Sequence, residues 1–195
     1  MKFGGMKMKK RILFVLFVFS VLSSQVLALG SGEENYEHPY PQDVMVGDIL
    51  VGHSPSSDWL IPGYWTHSSM VAYYDDGEWM VVEAWFSGVR VIRLSEYMER
   101  YDDVALLRVR TTNSVRNKAV NFALSQLGKP YDYRLWTKQA YGRSYYCSEL
   151  VWAAYLIAGV DVDRHPGFSW KYLWGVAPQE IYDDGDTYVI YQDHS

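Results

Sequence analysis

The stretch Tyr145-Tyr146-Cys147-Ser148-Glu149-Leu150-Val151 contains the only cysteine in a chain of 195 residues and reads as the start of a helix. A single cysteine forms no internal disulfide, so either packing or reactivity accounts for it. Free cysteine is often buried as a small hydrophobe, which is the plain alternative. At a helix N-terminus, however, unpaired N–H groups and the positive end of the helix dipole favour thiolate and lower the thiol pKa. Leu150, Val151, Ala154, Tyr155 and Ile157 continue the helix on apolar spacing until Gly159 stops it.

Upstream, Ser114 can cap a second helix running to Leu127, with Val115, Ala119, Phe122, Ala123 and Leu127 on one face and Gly128 as its stop. Before that, the periodicity changes to strand. Asp48 to Val51, Ser68 to Tyr74, Glu78 to Ala84, Val89 to Leu94 and Ala105 to Val109 are short apolar or alternating runs, and Tyr188 to Tyr191 adds another after a helical turn near Pro178. Pro55 to Gly63 is a loop carrying Trp59, Leu60 and Ile61. Short connections and separate runs of strands and helices predict an α+β domain with a mostly antiparallel sheet.

The N-terminus speaks to compartment. Lys2, Lys7, Lys9, Lys10 and Arg11 precede the apolar run Ile12 to Leu22, and Val26-Leu27-Ala28 has small-residue spacing. That is the pattern of a secretory signal peptide over residues 1–28, and it predicts a secreted or cell-surface protein. A retained membrane anchor is the rival, weakened by Ser20, Ser23, Ser24 and Gln25. No cysteine lies near the cleavage site, which excludes a lipid-anchored lipoprotein. Residues 29–43 are polar and proline-punctuated, a linker, and 44–195 form one domain. Losing a leader with five basic residues and no acids takes the formal charge from −5 to −10. An acidic mature chain argues against nucleic acid and against an anionic membrane surface as partners. Aromatic residues make up 16% of the chain, read here chiefly as core filling.

A cysteine nucleophile needs a base and commonly a third group to orient that base. Among five histidines, His38 falls in the linker and His194 one residue from the end, where order is expected to be poor, while His53 and His165 adjoin loops. His67 opens a strand and so has a rigid support. Asp75-Asp76-Gly77, read as a three-residue hairpin loop, pairs Tyr74 with Glu78 and sets Trp85 opposite His67. Glu83 then falls opposite Ser69, on the face of His67 and diagonal to it, where it can accept the imidazole N–H. A two-residue loop would carry Glu83 to the other face. There is no His-x-x-x-His and no cysteine pair, and Asp183-Asp184-Gly185-Asp186 lacks the spaced ligands of a calcium loop, so neither metal nor cofactor is expected.

Gly47-Asp48, His67-Ser68-Ser69-Met70-Val71, Gly128-Lys129-Pro130-Tyr131 and Cys147-Ser148-Glu149-Leu150-Val151 together resemble the signature blocks of the NlpC-type papain-like cysteine peptidases. Their order is reversed relative to ordinary members, with histidine before cysteine. The chain therefore resembles the circularly permuted, YiiX-like branch related to lecithin retinol acyltransferase. The resemblance implies a permuted papain-like fold with the nucleophile at the N-terminus of a helix packed on an antiparallel sheet. It also implies Cys147 as nucleophile, His67 as general base, Glu83 as orienting residue and Tyr131 lining the site near an oxyanion hole. Ordinary members have Asp-Cys-Ser-Gly where this chain has Tyr146 and Glu149 flanking Cys147-Ser148, so the aspartate that binds the free amine of a murein stem peptide is replaced, and Tyr146 becomes a substrate-binding candidate. The expected activity is cysteine hydrolysis of an amide or related acyl bond in a peptide, N-acyl or lipid-like small substrate, through a thioester and with no partner protein evident. Acyl transfer to an alcohol or amine, and a binding module with unused catalytic residues, are the alternatives.

Overall fold

The computed structural model describes residues 35–195. The expected leader and the beginning of the linker lie outside the described residues. Six strands, β1 (Ile49–His53), β2 (His67–Asp75), β3 (Glu78–Trp85), β4 (Gly88–Arg93), β5 (Asp103–Val109) and β6 (Thr187–His194), form one sheet in the order β4-β3-β2-β1-β5-β6. Every neighbouring pair is antiparallel. β1 is central and buried along its whole length, which is why its sequence is apolar on both sides of the pleat.

Side-chain alternation sorts the strands into two packed faces. Ile49, Val51, Met70, Val82, Ala105 and Leu107 meet the helices α2 (Asn113–Leu124) and α3 (Cys147–Ala158). Leu50, Val71, Val81 and Leu106 face the other way, onto Leu94, Tyr97 and Met98 of the short helix α1 (Leu94–Met98) and onto Tyr101 just beyond it. The fold is thus the α+β, antiparallel arrangement expected. A last helix, α4 (Pro178–Asp183), leads into β6.

Some boundaries differ from the sequence expectation. Thr112, not Ser114, caps α2, because its hydroxyl accepts from the Val115 N–H at 3.3 Å. α2 also ends at Leu124, and Leu127 is exposed rather than on the buried face. Gly128 is in the left-handed region and its N–H donates to Val89 O, so it redirects the chain toward the sheet. α3 does end at Gly159, which holds the left-handed conformation at φ 104°.

His38 and His194, expected in poorly ordered ends, are both tied down. The His38 ring is buried against Asp193 at 2.8 Å and Tyr101 O at 2.8 Å, and His194 sits in β6 with its Nδ1 2.8 Å from Asp103. Sheet pairing at one end and side-chain anchoring at the other override the usual fraying of a terminus.

The β2–β3 turn is also different. Tyr74 pairs with Trp79 and Asp75 with Glu78, so the loop has two residues, Asp76 and Gly77, both at positive φ. That is the primed hairpin turn favoured by Asp-Gly. Taken alone it would turn Glu83 away from His67. A β-bulge between Val71 and Tyr73 adds one residue to β2, so Met70 pairs with Val82 and the offset is restored. Glu83 consequently lies on the same face as His67, by a route different from the one the sequence suggested.

Candidate active site

Cys147 is the first residue of α3 and is 3% exposed. Three features hold it there. The Gly-x-Pro-Tyr block pairs with the residues entering the helix: Tyr145 N–H donates to Pro130 O and Asp132 N–H to Tyr145 O. Glu149 accepts from the Tyr146 N–H at 3.2 Å and from the Gln139 N–H at 2.7 Å, capping the first turn and tying it to the preceding loop. Burial pushes the Glu149 carboxyl up to about 8. The Ser148 hydroxyl donates to Val176 O at 2.7 Å, fixing the loop on the other side.

His67 stands at the start of β2, so its backbone is fixed by the sheet. Its Nε2 lies 2.9 Å from Glu83 Oε2, which leaves Nδ1 for the thiol. The ring stacks on Tyr101 at 5.6 Å and meets Trp85 edge-on at 5.2 Å. Gly52, across the sheet from His67, makes room for Tyr101, since a Cβ there would lie 2.4 Å from the Tyr101 ring.

Glu83 is 0% exposed yet has more than one counter-charge. Arg90, its cross-strand partner on β4, donates to Oε1 from Nε at 2.9 Å, and Arg100 reaches both oxygens at 3.2 and 3.0 Å. Such charge-assisted bonds offset much of the desolvation that burial imposes on a carboxylate. Burial opposes ionisation, but His67 and Arg100 prevail and hold Glu83 at about 2. Arg100 in turn lies 4.6 Å from the Trp85 ring centroid.

The electrostatic consequence reaches the sulfur. Burial disfavours the thiolate, yet the adjacent His67, the Ser68 N–H and Ser148 outweigh it, and Cys147 falls below the ordinary thiol range. For His67, burial disfavours the imidazolium, but Cys147 and Glu83 outweigh it, and its pKa rises. Thiol and imidazole thus favour each other's charged forms. The plain reading of Cys147 as a packed hydrophobe does not account for that pairing.

Of the other candidates, Tyr146 and Cys147 line a cleft together with Ile61, Pro62, Leu135, Tyr172 and Val176. The Tyr146 hydroxyl accepts from the Val176 N–H at 2.9 Å, which fixes that wall. Tyr131 packs on Phe86 and Tyr133, each at 5.1 Å between centroids. Burial and then the nearby Cys147 push its phenol well up, so it stays neutral beside the thiol. Gly47-Asp48 is not at this site. Asp48 accepts from Arg108 at 2.8 Å by two nitrogens and from the Met45 N–H, and a Cβ on Gly47 would strike Arg116 at 2.7 Å, so this block locks the chain entering β1.

Arg90, Arg100 and Tyr101 escaped the sequence reading. The Arg90 partnership was recoverable: Phe86-Ser87 closes a two-residue turn with Trp85 opposite Gly88, and counting back sets Glu83 opposite Arg90. Leu94, Tyr97, Met98 and Tyr101 also have helical spacing, in a run too short to stand out.

Among the described residues, one group has the composition of a cation site: His53, Asp102 and Asp103. His53 Nδ1 lies 2.7 Å from Asp102 and Nε2 3.0 Å from Asp58. The first is a hydrogen-bond length, shorter than the roughly 3.3 Å between ligands placed 2.0–2.1 Å from tetrahedral zinc. The arrangement fits a histidine bridging two carboxylates better than a metal centre.

The family described as permuted papain-like amidase enzyme, YaeF/YiiX, C92 family, matches residues 43–191. The chain is 28% identical over 130 residues to the uncharacterized protein YycO of Bacillus subtilis strain 168, a match covering 65% of this chain and 50% of that one. It therefore spans about half the length of that relative. The crystal structure of the metalloprotein YiiX from Escherichia coli O157:H7 superposes with a TM-score of 0.64 at 22% identity, covering 80% of this chain and 99% of the other.

Proposed function

This chain belongs to the permuted papain-like amidases of the YaeF and YiiX type, and on that premise we propose an exported cysteine hydrolase that cleaves an amide or related acyl bond through a thioester on Cys147. The observation carrying the proposal is the mutual stabilisation of Cys147 thiolate and His67 imidazolium, with Glu83 behind the ring.

In this reading the Cys147 thiolate attacks the substrate carbonyl carbon. The oxyanion that forms lies near the first N–H groups of α3, which have no intrahelical acceptor. His67 gives its proton to the departing amine as the C–N bond breaks, leaving an acyl-thioester and a neutral imidazole. Water then attacks the thioester, His67 takes its proton, and the C–S bond breaks to release the acid and restore the pair. Glu83 keeps its charge throughout and holds the ring. Tyr146 and the apolar residues of the cleft bind the acyl group, which favours an N-acyl or lipid-like substrate over a charged stem peptide.

Acyl transfer uses the same intermediate with an alcohol or amine replacing water. The unused-module reading is disfavoured, because a thiolate–imidazolium pair backed by a buried carboxylate has no role in passive binding. The test is alkylation of Cys147 by iodoacetamide across pH. A midpoint well below the ordinary value of about 8.5, rising in His67→Ala, supports activation; an ordinary midpoint unchanged by that substitution overturns it. Product analysis from an N-acyl amide, with and without added amine, separates hydrolysis from transfer.

A further inference from the structure

In an acidic chain, residues 133–148 and residues 164–179 are each free of acidic residues. Between them they hold Arg134, Lys138, Arg143, Arg164 and Lys171. Asp132 and Asp163 pair with Arg134 and Lys138. Arg143, Arg164 and Lys171 are exposed.

The same stretches expose large aromatic side chains. Trp170 is 91% exposed, Trp174 60%, Trp136 53% and Phe168 45%. The display is built rather than slack. Ser169 and Leu173 exchange backbone hydrogen bonds at 2.9 and 2.8 Å, and the Tyr172 N–H donates to the Ser169 hydroxyl at 2.9 Å. Leu173 takes a left-handed φ of 59° to close this tight loop, and Tyr172 turns inward. The Phe168 ring lies 5.2 Å from Trp170 and 5.4 Å from Trp174. The Trp174 N–H donates to Trp136 O at 3.2 Å, joining the two stretches.

We propose that the 168–174 hairpin, with Trp136, docks this protein on a phospholipid bilayer containing anionic lipid. An exposed apolar cluster of this kind marks an interaction surface, and three features select a bilayer over a protein. Tryptophan favours the headgroup level, where its ring is buried and its N–H stays wet. The two stretches themselves carry only basic charge, with Arg143, Arg164 and Lys171 exposed, which matches an anionic interface. The two stretches also supply Leu135, Tyr146, Tyr172 and Val176 to the cleft at Cys147, so docking brings that cleft to the lipid. The overall negative charge argued against such a surface only because it averages over this local patch. Docking goes beyond the amidase reading and stands without turnover.

Because Cys147 is the only cysteine, Cys147→Ser with Trp170→Cys in the full chain creates a single site for a polarity-sensitive fluorophore. A control places the label at exposed Tyr74, at the other end of β2, as Tyr74→Cys with Cys147→Ser. On phosphatidylcholine vesicles containing phosphatidylglycerol, emission from position 170 moves to shorter wavelength and that from position 74 does not. Arg164→Gln and Lys171→Gln each weaken binding to these vesicles about fivefold. An unchanged emission at 170 overturns the proposal, even if the chain sediments with vesicles through another segment. Equal shifts at both positions also overturn it.

Discussion

The two sides of Cys147 differ in nearly every respect. Behind it, toward the sheet, are His67, Glu83, Arg90 and Arg100, each charged or able to be, linked by hydrogen bonds of 2.9–3.2 Å. In front lies a cleft of apolar walls drawn from loops, among them Ile61, Pro62, Leu135 and Val176. The charged side is carried largely by strands β2, β3 and β4, whose positions are fixed by the ladder. On the proposed function, the contrast assigns preparation of the nucleophile to regular structure and choice of acyl group to loops, so the two are separable by mutation.

The sharpest test of that separation is Cys147→Ala, which should lower hydrolysis of an N-acyl amide by a factor on the order of 10⁶, as loss of a nucleophile does in other hydrolases. Unchanged turnover would remove the sulfur from the chemistry. Glu83→Gln comes next. It leaves buried arginine charge uncompensated, and should cost roughly 3 kcal/mol in urea unfolding while raising the alkylation pH of Cys147. Glu83 is held at about 2 against an ordinary 4.5, so its stabilising effect is complete above 4.5 and is lost as pH falls through about 2. The variant should therefore flatten the acid limb of stability measured by the urea midpoint.

Filling the cleft acts on the other side. Val176→Trp should reduce kcat/KM for long acyl substrates by tenfold or more, on the order of 1.4 kcal/mol, with alkylation by the small iodoacetamide nearly unaffected. If both fell together, the two sides would not be separable. Gly52→Ala should have the smallest effect on turnover. Its Cβ pushes Tyr101 away from His67, at a stability cost of about 1–3 kcal/mol, and should lower kcat severalfold with KM little changed.

Much of this design was legible because it resides in local signals. Cys147 precedes an apolar helix ending at glycine, and His67 opens a strand, so each announces its position without tertiary information. The antiparallel sheet followed from the short links between strands. Glu83 falls on the expected face although the turn has two residues rather than three, since the three-residue loop and the bulge at Ala72 have the same effect on register. A bulge leaves little trace in a strand of alternating side chains, and so was invisible. Arg100 and Tyr101 follow a helix of only five residues, and their approach to Glu83 and His67 depends on packing across the sheet. The order of His38 is hidden for a similar reason: what holds it are Asp193 and Tyr101, distant in sequence.

The bulge at Ala72 acts much as a compensating insertion acts in a reading frame. With a two-residue turn and no bulge, every β3 side chain beyond it would change face, and Glu83 would be exchanged for its neighbours Val82 or Ala84 beneath the imidazole. Turn length and bulge must therefore change together in any descendant that keeps its chemistry. Deleting Ala72 alone shifts the phase of the strand, and so does lengthening the Asp76-Gly77 turn by one residue; making both changes at once restores it.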